Sequence, residues 1–260
     1  MQASFEHIAA SESGAVATIE IRRGPNNFVD TDMVAEIADA LEHYDRTPAI
    51  RAIMLCSQGK HFCAGADFGN RGSDGVGVGA KRGRHLYKEA QRLWRTGKPI
   101  VAAVHGAAVG AGVGLAVMAD FRVTCPEARF AVNFTRLGFH PGFGLTASLP
   151  RLIGMQKAAW LMYTARRITG EEAAALGLAD HCVPQDQVRA KAVEVATEIS
   201  QSAPLAIVAT RETLRRGLAD AVAAATEREY EEQNWLRNTE DFREGVKAMA
   251  ERRLPNFGAR

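Results

Sequence analysis

The segments GKHFCAGAD, residues 59–67, and HGAAVGAGVG, residues 105–114, share one design. Each follows an apolar stretch of strand character and consists largely of glycine and alanine, and the second continues into the apolar run 115–119. Small residues at a strand-to-helix turn allow a ligand to approach main-chain N–H groups. If the two turns converge, they supply two amide donors to one carbonyl oxygen, which is an oxyanion hole. Glycines that only permit close packing of a helix on a strand are the alternative.

Strand and helix patterns alternate around these two segments. Apolar residues recur at Met33, Ile37, Leu41 and Tyr44, which is one face of a helix that begins at Asp30 or Thr31. The remaining patterns predict strands at 15–21, 52–56, 99–104, 121–124, 128–132 and 180–183, and helices at 82–96, 158–165, 171–176, 188–199 and 218–236. The order predicts an α/β core followed by a helical C-terminal region.

Composition is that of an ordinary globular protein. The 260 residues are 47% hydrophobic and 24% charged, and the formal net charge is only +2, which does not favour a nucleic-acid partner. Four scattered cysteines form no C-x-x-C pair and have no metal-ligand spacing, so we expect free thiols in a reducing compartment and no metal. Residues 1–13 lack the features of a signal or transit peptide, which predicts a cytoplasmic protein.

One stretch, 100–119, holds twenty residues without a formal charge, the length of a membrane span. It is interrupted by four glycines and contains His105, so a buried strand, a turn and the start of a helix explain it better. The glycines do not complete other known motifs either. The pattern of Gly110, Gly112 and Gly114 misses the third glycine of the dinucleotide fingerprint, and there is no phosphate loop and no G-x-S-x-G.

At these segments the chain resembles the crotonase superfamily, the enoyl-CoA hydratases and isomerases. Residues 62–67, FCAGAD, are similar to its F-x-A-G-A-D signature, and residues 98–106, KPIVAAVHG, continue through Asp120 like its second signature. The similarity extends through 137–142, 149–154, 173–180 and 240–245.

The resemblance implies a spiral of ββα units in residues 1–195 and a helical oligomerisation region in 196–260. It also implies a homotrimer or a dimer of trimers. The expected ligand is an acyl-CoA thioester, with coenzyme A as part of the substrate and no other cofactor. The two oxyanion amides fall on Ala66 and Ala111.

The hydratases of the family carry two glutamates that handle water and the α-proton, and this chain has neither. Aligning the motifs puts Gly114 at the first position and Phe134 at the second. Because each general acid or base contributes on the order of 100 to 10,000-fold, hydration by the paired-carboxylate route should be crippled. His140 is the titratable side chain with a near-neutral intrinsic pKa in the following loop and is a candidate acid or base. Packing or hydrogen bonding without chemistry is the alternative for it.

Six residues are expected to contact the substrate: Ala64, Asp67, Gly110, Gly114, Phe134 and Arg252. Asp67 is also a candidate cap of the following turn. The resemblance brings a tail residue such as Arg252 toward the CoA phosphates of a neighbouring subunit, although an exposed arginine is often merely solvated. Buried cysteines usually only pack, so a nucleophilic Cys63 is not expected. The acidic run 227–232 predicts a solvated helix face.

Three functions are consistent with this sequence. The first is an enoyl-CoA hydratase/isomerase-like lyase or isomerase that stabilises an enolate in the oxyanion hole. The second is a non-catalytic acyl-CoA-binding homologue. The third is a hydrolase or decarboxylase of the same fold that uses His140.

Overall fold

Residues 5–66 and 85–260 are described by the computed structural model. The strands of this part of the chain form two sheets. They are β1 (Ile8–Ser13), β2 (Val16–Ile21), β3 (Ala52–Ser57), β4 (Ile100–Val104), β5 (Ala107–Val109), β6 (Phe121–Thr124), β7 (Arg129–Ala131), β8 (Arg167–Thr169) and β9 (His181–Cys182).

The helices follow the strands in the first half and dominate the second half. They are α1 (Thr31–Asp45), α2 (Leu86–Leu93), α3 (Ala111–Met118), α4 (Leu145–Ile153), α5 (Met155–Thr164), α6 (Gly170–Leu176), α7 (Val188–Ser200), α8 (Pro204–Leu214), α9 (Leu218–Leu236) and α10 (Glu240–Ala250). Short 3-10 turns lie at Thr135–Leu137 and Gln185–Gln187.

The chain passes twice from the larger sheet to the smaller one and returns each time. The larger sheet has the order β1-β2-β3-β4-β6-β9, with β1 antiparallel and the following neighbours parallel. The smaller sheet has the order β5-β7-β8. Strands β4 and β6 lie in the larger sheet, and their immediate successors β5 and β7 pair in parallel in the smaller one. Two successive turns of a ββα spiral therefore stack on each other, which confirms the predicted crotonase-type α/β fold.

Burial explains why the central strands are apolar throughout. All residues of β3 and β4 are buried, because helices cover this parallel sheet. Helix α1 begins as predicted at Asp30, whose carboxylate accepts a hydrogen bond of 2.9 Å from the Met33 N–H. Helix α2 starts at Leu86, within the predicted 82–96 segment.

Helix α3 begins four residues before the predicted apolar run 115–119. Glycine lowers helix propensity, so the sequence pattern gave no signal for the first turn. This earlier start makes Ala111 the first residue of the helix, where its N–H has no intrahelical acceptor.

The C-terminal helices fold back on the core of the same chain. Helix α10 packs on the turn Thr135–Leu137. The predicted division after residue 195 falls inside α7, which packs on β3 and β4. Within the described residues, no helix has both the length and the apolar character needed to cross a bilayer. Residues 100–119 form β4, a turn, β5 and α3, as the glycine pattern predicted.

Candidate functional site

Two parallel loops form the centre of the site. Cys63 and Ala108 form a parallel bridge, in which the Cys63 N–H donates to the Ala107 carbonyl at 3.0 Å and the Val109 N–H donates to the Cys63 carbonyl at 3.0 Å. Ala66 and Ala111 each follow their bridged residue by three positions. The pairing therefore brings the two predicted amide donors to the same end of the two loops.

A glycine precedes each donor and turns its N–H away from the ladder. Gly65 has a φ of 88° and Gly110 a φ of 54°, in the region that L side chains rarely adopt. A Cβ at Gly65 would also lie 2.8 Å from the Val109 carbonyl oxygen. Neither the Ala66 nor the Ala111 N–H has an acceptor among the residues that the structure describes. Both amides remain available to an external oxygen.

Both alanines line one cavity of about 80 Å³. Ala64, Gly110 and Phe134 line it too, so five of the predicted site residues meet there. The other lining residues come from distant parts of the chain. They are Val29, Gly65, Leu86, Tyr87, Val109, Asn133, Leu137, Phe139, Phe143, Gln233 and Met249.

Gly114 does not line the cavity, because Phe143 lies between them. A Cβ at Gly114 would lie 3.0 Å from Cγ and 3.1 Å from Cβ of Phe143, and closer still to its Cδ1. Phe143 is buried and has a φ of 64°, in the left-handed region. The aromatic ring occupies the space into which a longer side chain at position 114 would extend. The predicted contact of Gly114 with substrate stays a prediction, and in the described arrangement Phe143 covers this position.

A hydrogen-bonded pair holds the loop that carries Phe143. The buried Tyr87 hydroxyl donates to Oε1 of Gln233 at 2.8 Å, and the Phe143 backbone hydrogen-bonds the same hydroxyl. Nε2 of Gln233 donates to the His140 carbonyl at 2.8 Å. Burial raises the pKa of Tyr87, so its hydroxyl keeps its proton and remains a donor. Helices α2 and α9 thus fix the loop 140–143.

No carboxylate replaces the two missing glutamates among the described residues that line the cavity. Glu229, on α9, is the nearest buried acid to the loop, and its carboxylate accepts from the Gly144 N–H at 2.7 Å and from the N–H and hydroxyl of Thr146 at 3.0 and 2.6 Å. It caps the start of α4, and burial raises its pKa. The prediction of a solvated face for the whole run 227–232 is wrong at Glu229, because α4 covers that position.

His140 is not among the residues that line the cavity. It lines a second, larger cavity together with Trp235 and Met155, and its Nδ1 lies 2.7 Å from the Pro141 carbonyl oxygen. The geometry places its imidazole on a different face of the loop from Phe143. This arrangement supports the packing and hydrogen-bonding alternative for His140.

Two predicted residues remain, Asp67 and Arg252. Asp67 lies outside the residues that the structure describes. Arg252 is exposed and follows α10, and its N–H donates to the carbonyl of Met249 at 3.2 Å. Met249 itself lines the cavity of its own chain. The approach of Arg252 to the CoA phosphates of a neighbouring subunit stays a prediction.

Burial shifts the pKa of two side chains in the first loop, Cys63 and His61. Cys63 is buried, and burial raises the pKa of its thiol to about 12, which keeps it un-ionised and a poor nucleophile. Burial lowers the pKa of His61. Among the described residues, no group of three or more His, Cys, Asp or Glu side chains could hold a metal ion.

Sequence reasoning missed Tyr87, Phe143 and Gln233, which decide the shape and polarity of the cavity. Each has an ordinary local pattern in its own element. The signal that could have found Phe143 was its place between two glycines, Gly142 and Gly144, because glycine on both sides of an aromatic residue is typical of a tight turn.

Comparison with known proteins gives a consistent result. Residues 11–260 match the family model described as enoyl-CoA hydratase/isomerase. A probable enoyl-CoA hydratase from Rhodobacter capsulatus is 34% identical over 250 residues, which cover 96% of each chain. A short-chain-enoyl-CoA hydratase from Clostridium acetobutylicum is 31% identical over 251 residues, again 96% of each. The crystal structure of an enoyl-CoA hydratase/isomerase from Pseudoalteromonas atlantica is similar with a TM-score of 0.88 at 26% identity, covering 97% of this chain and 100% of that one.

Proposed function

Because this chain belongs to the enoyl-CoA hydratase/isomerase family, we propose that it binds an acyl-CoA thioester and polarises the thioester carbonyl with the N–H groups of Ala66 and Ala111. The observation that carries this proposal is that both N–H groups lack acceptors among the described residues and line one cavity. Coenzyme A enters as part of the substrate, and no separate cofactor is needed for this step.

The two amides act on the charge that grows on the thioester oxygen. As an α-proton leaves or a nucleophile adds, negative charge moves to that oxygen, and two preorganised donors stabilise it without reorganising. Ala111 is the first residue of α3, so the positive end of the helix dipole adds to the same effect. Removing one such donor typically raises the barrier by about 2.7–4 kcal/mol.

The reaction that follows polarisation does not use the two carboxylates of the hydratases. Gly114 is covered by Phe143, and Phe134 contributes an aromatic ring to the lining. The polar side chains that line the cavity are Tyr87, Asn133 and Gln233. None of these three described side chains is a good base at neutral pH, so ordinary hydration by the paired-carboxylate route is disfavoured. An isomerase or lyase reaction through the enolate needs a proton acceptor from outside the described lining, or water, to take the α-proton.

The second candidate is an acyl-CoA-binding protein without turnover. The described lining contains two amide donors and a mostly aromatic and aliphatic wall, but neither an acid nor a histidine. Such a cavity can retain affinity for a thioester after losing its proton-transfer groups. A hydrolase or decarboxylase that depends on His140 is disfavoured, because this residue lines the other cavity.

We also propose the homotrimer or dimer of trimers that the resemblance implies. Large apolar side chains remain exposed in the second half of the chain, including Met155, Tyr163 and Leu205. Their number supports subunit contacts in that region. Sedimentation velocity of the purified protein tests the assignment.

The substitution Ala111→Pro tests the oxyanion assignment. Proline removes the N–H, and the first residue of a helix is the position where a helix tolerates it best. Purified variants are offered crotonyl-CoA and longer enoyl-CoA thioesters, and both turnover and binding are measured. We expect Ala111→Pro to lose turnover by on the order of 100 to 1000-fold, while Ala111→Gly stays active.

A matched control is Glu240→Pro, which places proline at the exposed first residue of α10 and should leave activity unchanged. Equal activity of Ala111→Pro and Ala111→Gly would refute the role of this amide. Hydration of crotonyl-CoA by the unmodified protein at ordinary enzyme rates would show that the missing glutamates are not decisive. Tight binding without turnover of any thioester would favour the second candidate.

A further inference from the structure

A cluster of arginines lies away from the cavity, where α8 meets the core. Asp120 follows α3, and its carboxylate accepts from Nε of Arg211 at 2.8 Å and from Nη1 of Arg215 at 2.9 Å. The main chain of Asp120 also accepts from Nη2 of Arg122 at 3.0 Å. Three guanidinium groups therefore surround one aspartate.

Three N–H donors at this junction have no acceptor among the described residues. They are Nη2 of Arg211, Nε of Arg215 and Nε1 of Trp94. Trp94 and Arg211 are only 4% and 8% exposed. A buried donor without an acceptor destabilises the folded state, so three at one junction are unusual in a native protein.

The contacts bring these three side chains together. The guanidinium carbon of Arg215 lies 5.5 Å from the centroid of the Trp94 ring. Arg211 shares the Asp120 carboxylate with Arg215, and its Nη1 donates to the carbonyl of Thr96, two residues after Trp94. The tryptophan and both arginines thus bound one small region between the end of α2 and α8.

The charges at this junction do not balance. Arg122, Arg211 and Arg215 contribute three positive charges, whereas Asp120 and Asp180 contribute two negative ones. Burial and the neighbouring Arg211 lower the pKa of Arg215, as an excess of positive charge requires.

The next charged groups outward are already paired. Arg95 pairs with Asp220 at 3.1 Å, and Lys98 lies in the field of Asp45. Among the residues that the structure describes, one positive charge at the junction therefore has no counter-charge. A buried charge without a partner is strongly destabilising.

We propose that this junction binds one monovalent anion of the size of chloride, held by the N–H groups of Trp94, Arg211 and Arg215. A single negative charge balances the cluster, and a spherical anion can accept N–H groups from several side chains that bound one region. The anion lies between α2 and α8 and so ties the C-terminal helices to the core. This site is independent of the proposed thioester chemistry.

A halide titration tests the proposal on the intact protein. The melting temperature is measured in sodium chloride, sodium bromide, sodium fluoride and sodium gluconate at one constant ionic strength. We expect a saturable rise of a few degrees with chloride and bromide that fluoride and gluconate do not give, because fluoride is strongly hydrated and gluconate is too large. Crystals soaked in sodium bromide should show an anomalous peak between Trp94, Arg211 and Arg215.

The variant Trp94→Phe keeps an aromatic ring at this position but removes the indole N–H donor, and it should weaken the halide response at least several-fold. Trp160→Phe is the matched control. The Trp160 ring also has an arginine over it, with the guanidinium carbon of Arg166 4.4 Å from its centroid, but it is partly exposed and lies outside the cluster. It should respond to halide like the unmodified protein. An unchanged response in Trp94→Phe, or the absence of both halide-specific stabilisation and a bromide peak in the unmodified protein, would overturn the proposal. If Trp94→Phe does not fold, the titration and the bromide peak decide alone.

Discussion

Alanine in place of Gly114 measures how firmly Phe143 occupies the position of the missing glutamate. The added Cβ would lie about 3 Å from Cβ and Cγ of Phe143 and closer to Cδ1. The ring has little freedom to retreat, because Phe143 is buried and Tyr87 hydrogen-bonds its backbone. We therefore expect Gly114→Ala to strain the packing between α3 and the loop 140–143.

Two opposing terms determine the effect on stability. Overpacking a core by one methyl group typically costs about 1–3 kcal/mol, whereas alanine in a helix is better than glycine by about 1 kcal/mol. The net result in the unmodified protein is a loss of up to about 2 kcal/mol. In a Phe143→Ala background the contacts with Cγ and Cδ1 disappear and only the 3.1 Å contact with Cβ remains, so the same substitution should be neutral or stabilise by up to about 1 kcal/mol. The coupling energy between the two positions is then about 1–3 kcal/mol.

Urea unfolding of the four proteins in this double-mutant cycle, at one protein concentration, gives the coupling energy. Gly245→Ala is the control substitution. Its added Cβ, on α10, would meet the backbone of Leu137 and not Phe143, so Phe143→Ala does not relieve this contact. It should show no coupling to Phe143. If Gly114→Ala changes stability equally in both backgrounds, Phe143 does not fill the space beside Gly114 and our explanation of the missing carboxylate fails.

Three further predictions concern buried side chains of the cavity lining and the core. Tyr87→Phe, which leaves the Gln233 oxygen without its buried donor, should reduce the free energy of unfolding in urea by about 1–3 kcal/mol; no loss would show that the pair does not hold the loop. The folded-state pKa of Glu229 is raised above its ordinary value of 4.5, so its contribution to stability is fully present below that pH and declines as the pH rises through the folded pKa. The free energy of unfolding of the unmodified protein minus that of Glu229→Gln should therefore fall as the pH rises above 4.5, and a rise would contradict the assignment. Iodoacetamide at pH 8, followed by mass spectrometry, should label the partly exposed Cys182 long before the buried Cys63, whose pKa is about 12; equal labelling rates would contradict the burial of Cys63.

Most of the fold and the centre of the site could be read from local patterns. The strands at 52–56, 99–104 and 121–124 and the helix at 218–236 were predicted because burial and periodicity are written into consecutive residues. The resemblance to the crotonase signatures assigned the two donors to Ala66 and Ala111, and the glycine that precedes each of them is a local feature of the sequence.

The structure corrected the details that depend on distant contacts. The run 227–232 has the spacing and composition of a solvated helix face. Helix α4 nevertheless lies over Glu229, and the Glu229 carboxylate caps the start of α4. His140 lies in the loop where the sequence predicted an acid or base, but in the folded chain it lines the second cavity. Nothing within a few residues of either position encodes which neighbour covers it.

The sequence by itself determined that a turn of small residues follows each of two apolar stretches and that glutamate is absent at positions 114 and 134, because both are properties of single residues and their immediate neighbours. Only the tertiary structure decided what stands in their place. Phe143, Tyr87 and Gln233 come from a loop and two helices far apart in the chain, and they meet because packing of α2 and α9 on the core brings them within hydrogen-bonding and van der Waals distance. Contacts of that range follow from the fold as a whole and leave no periodic signal in the chain.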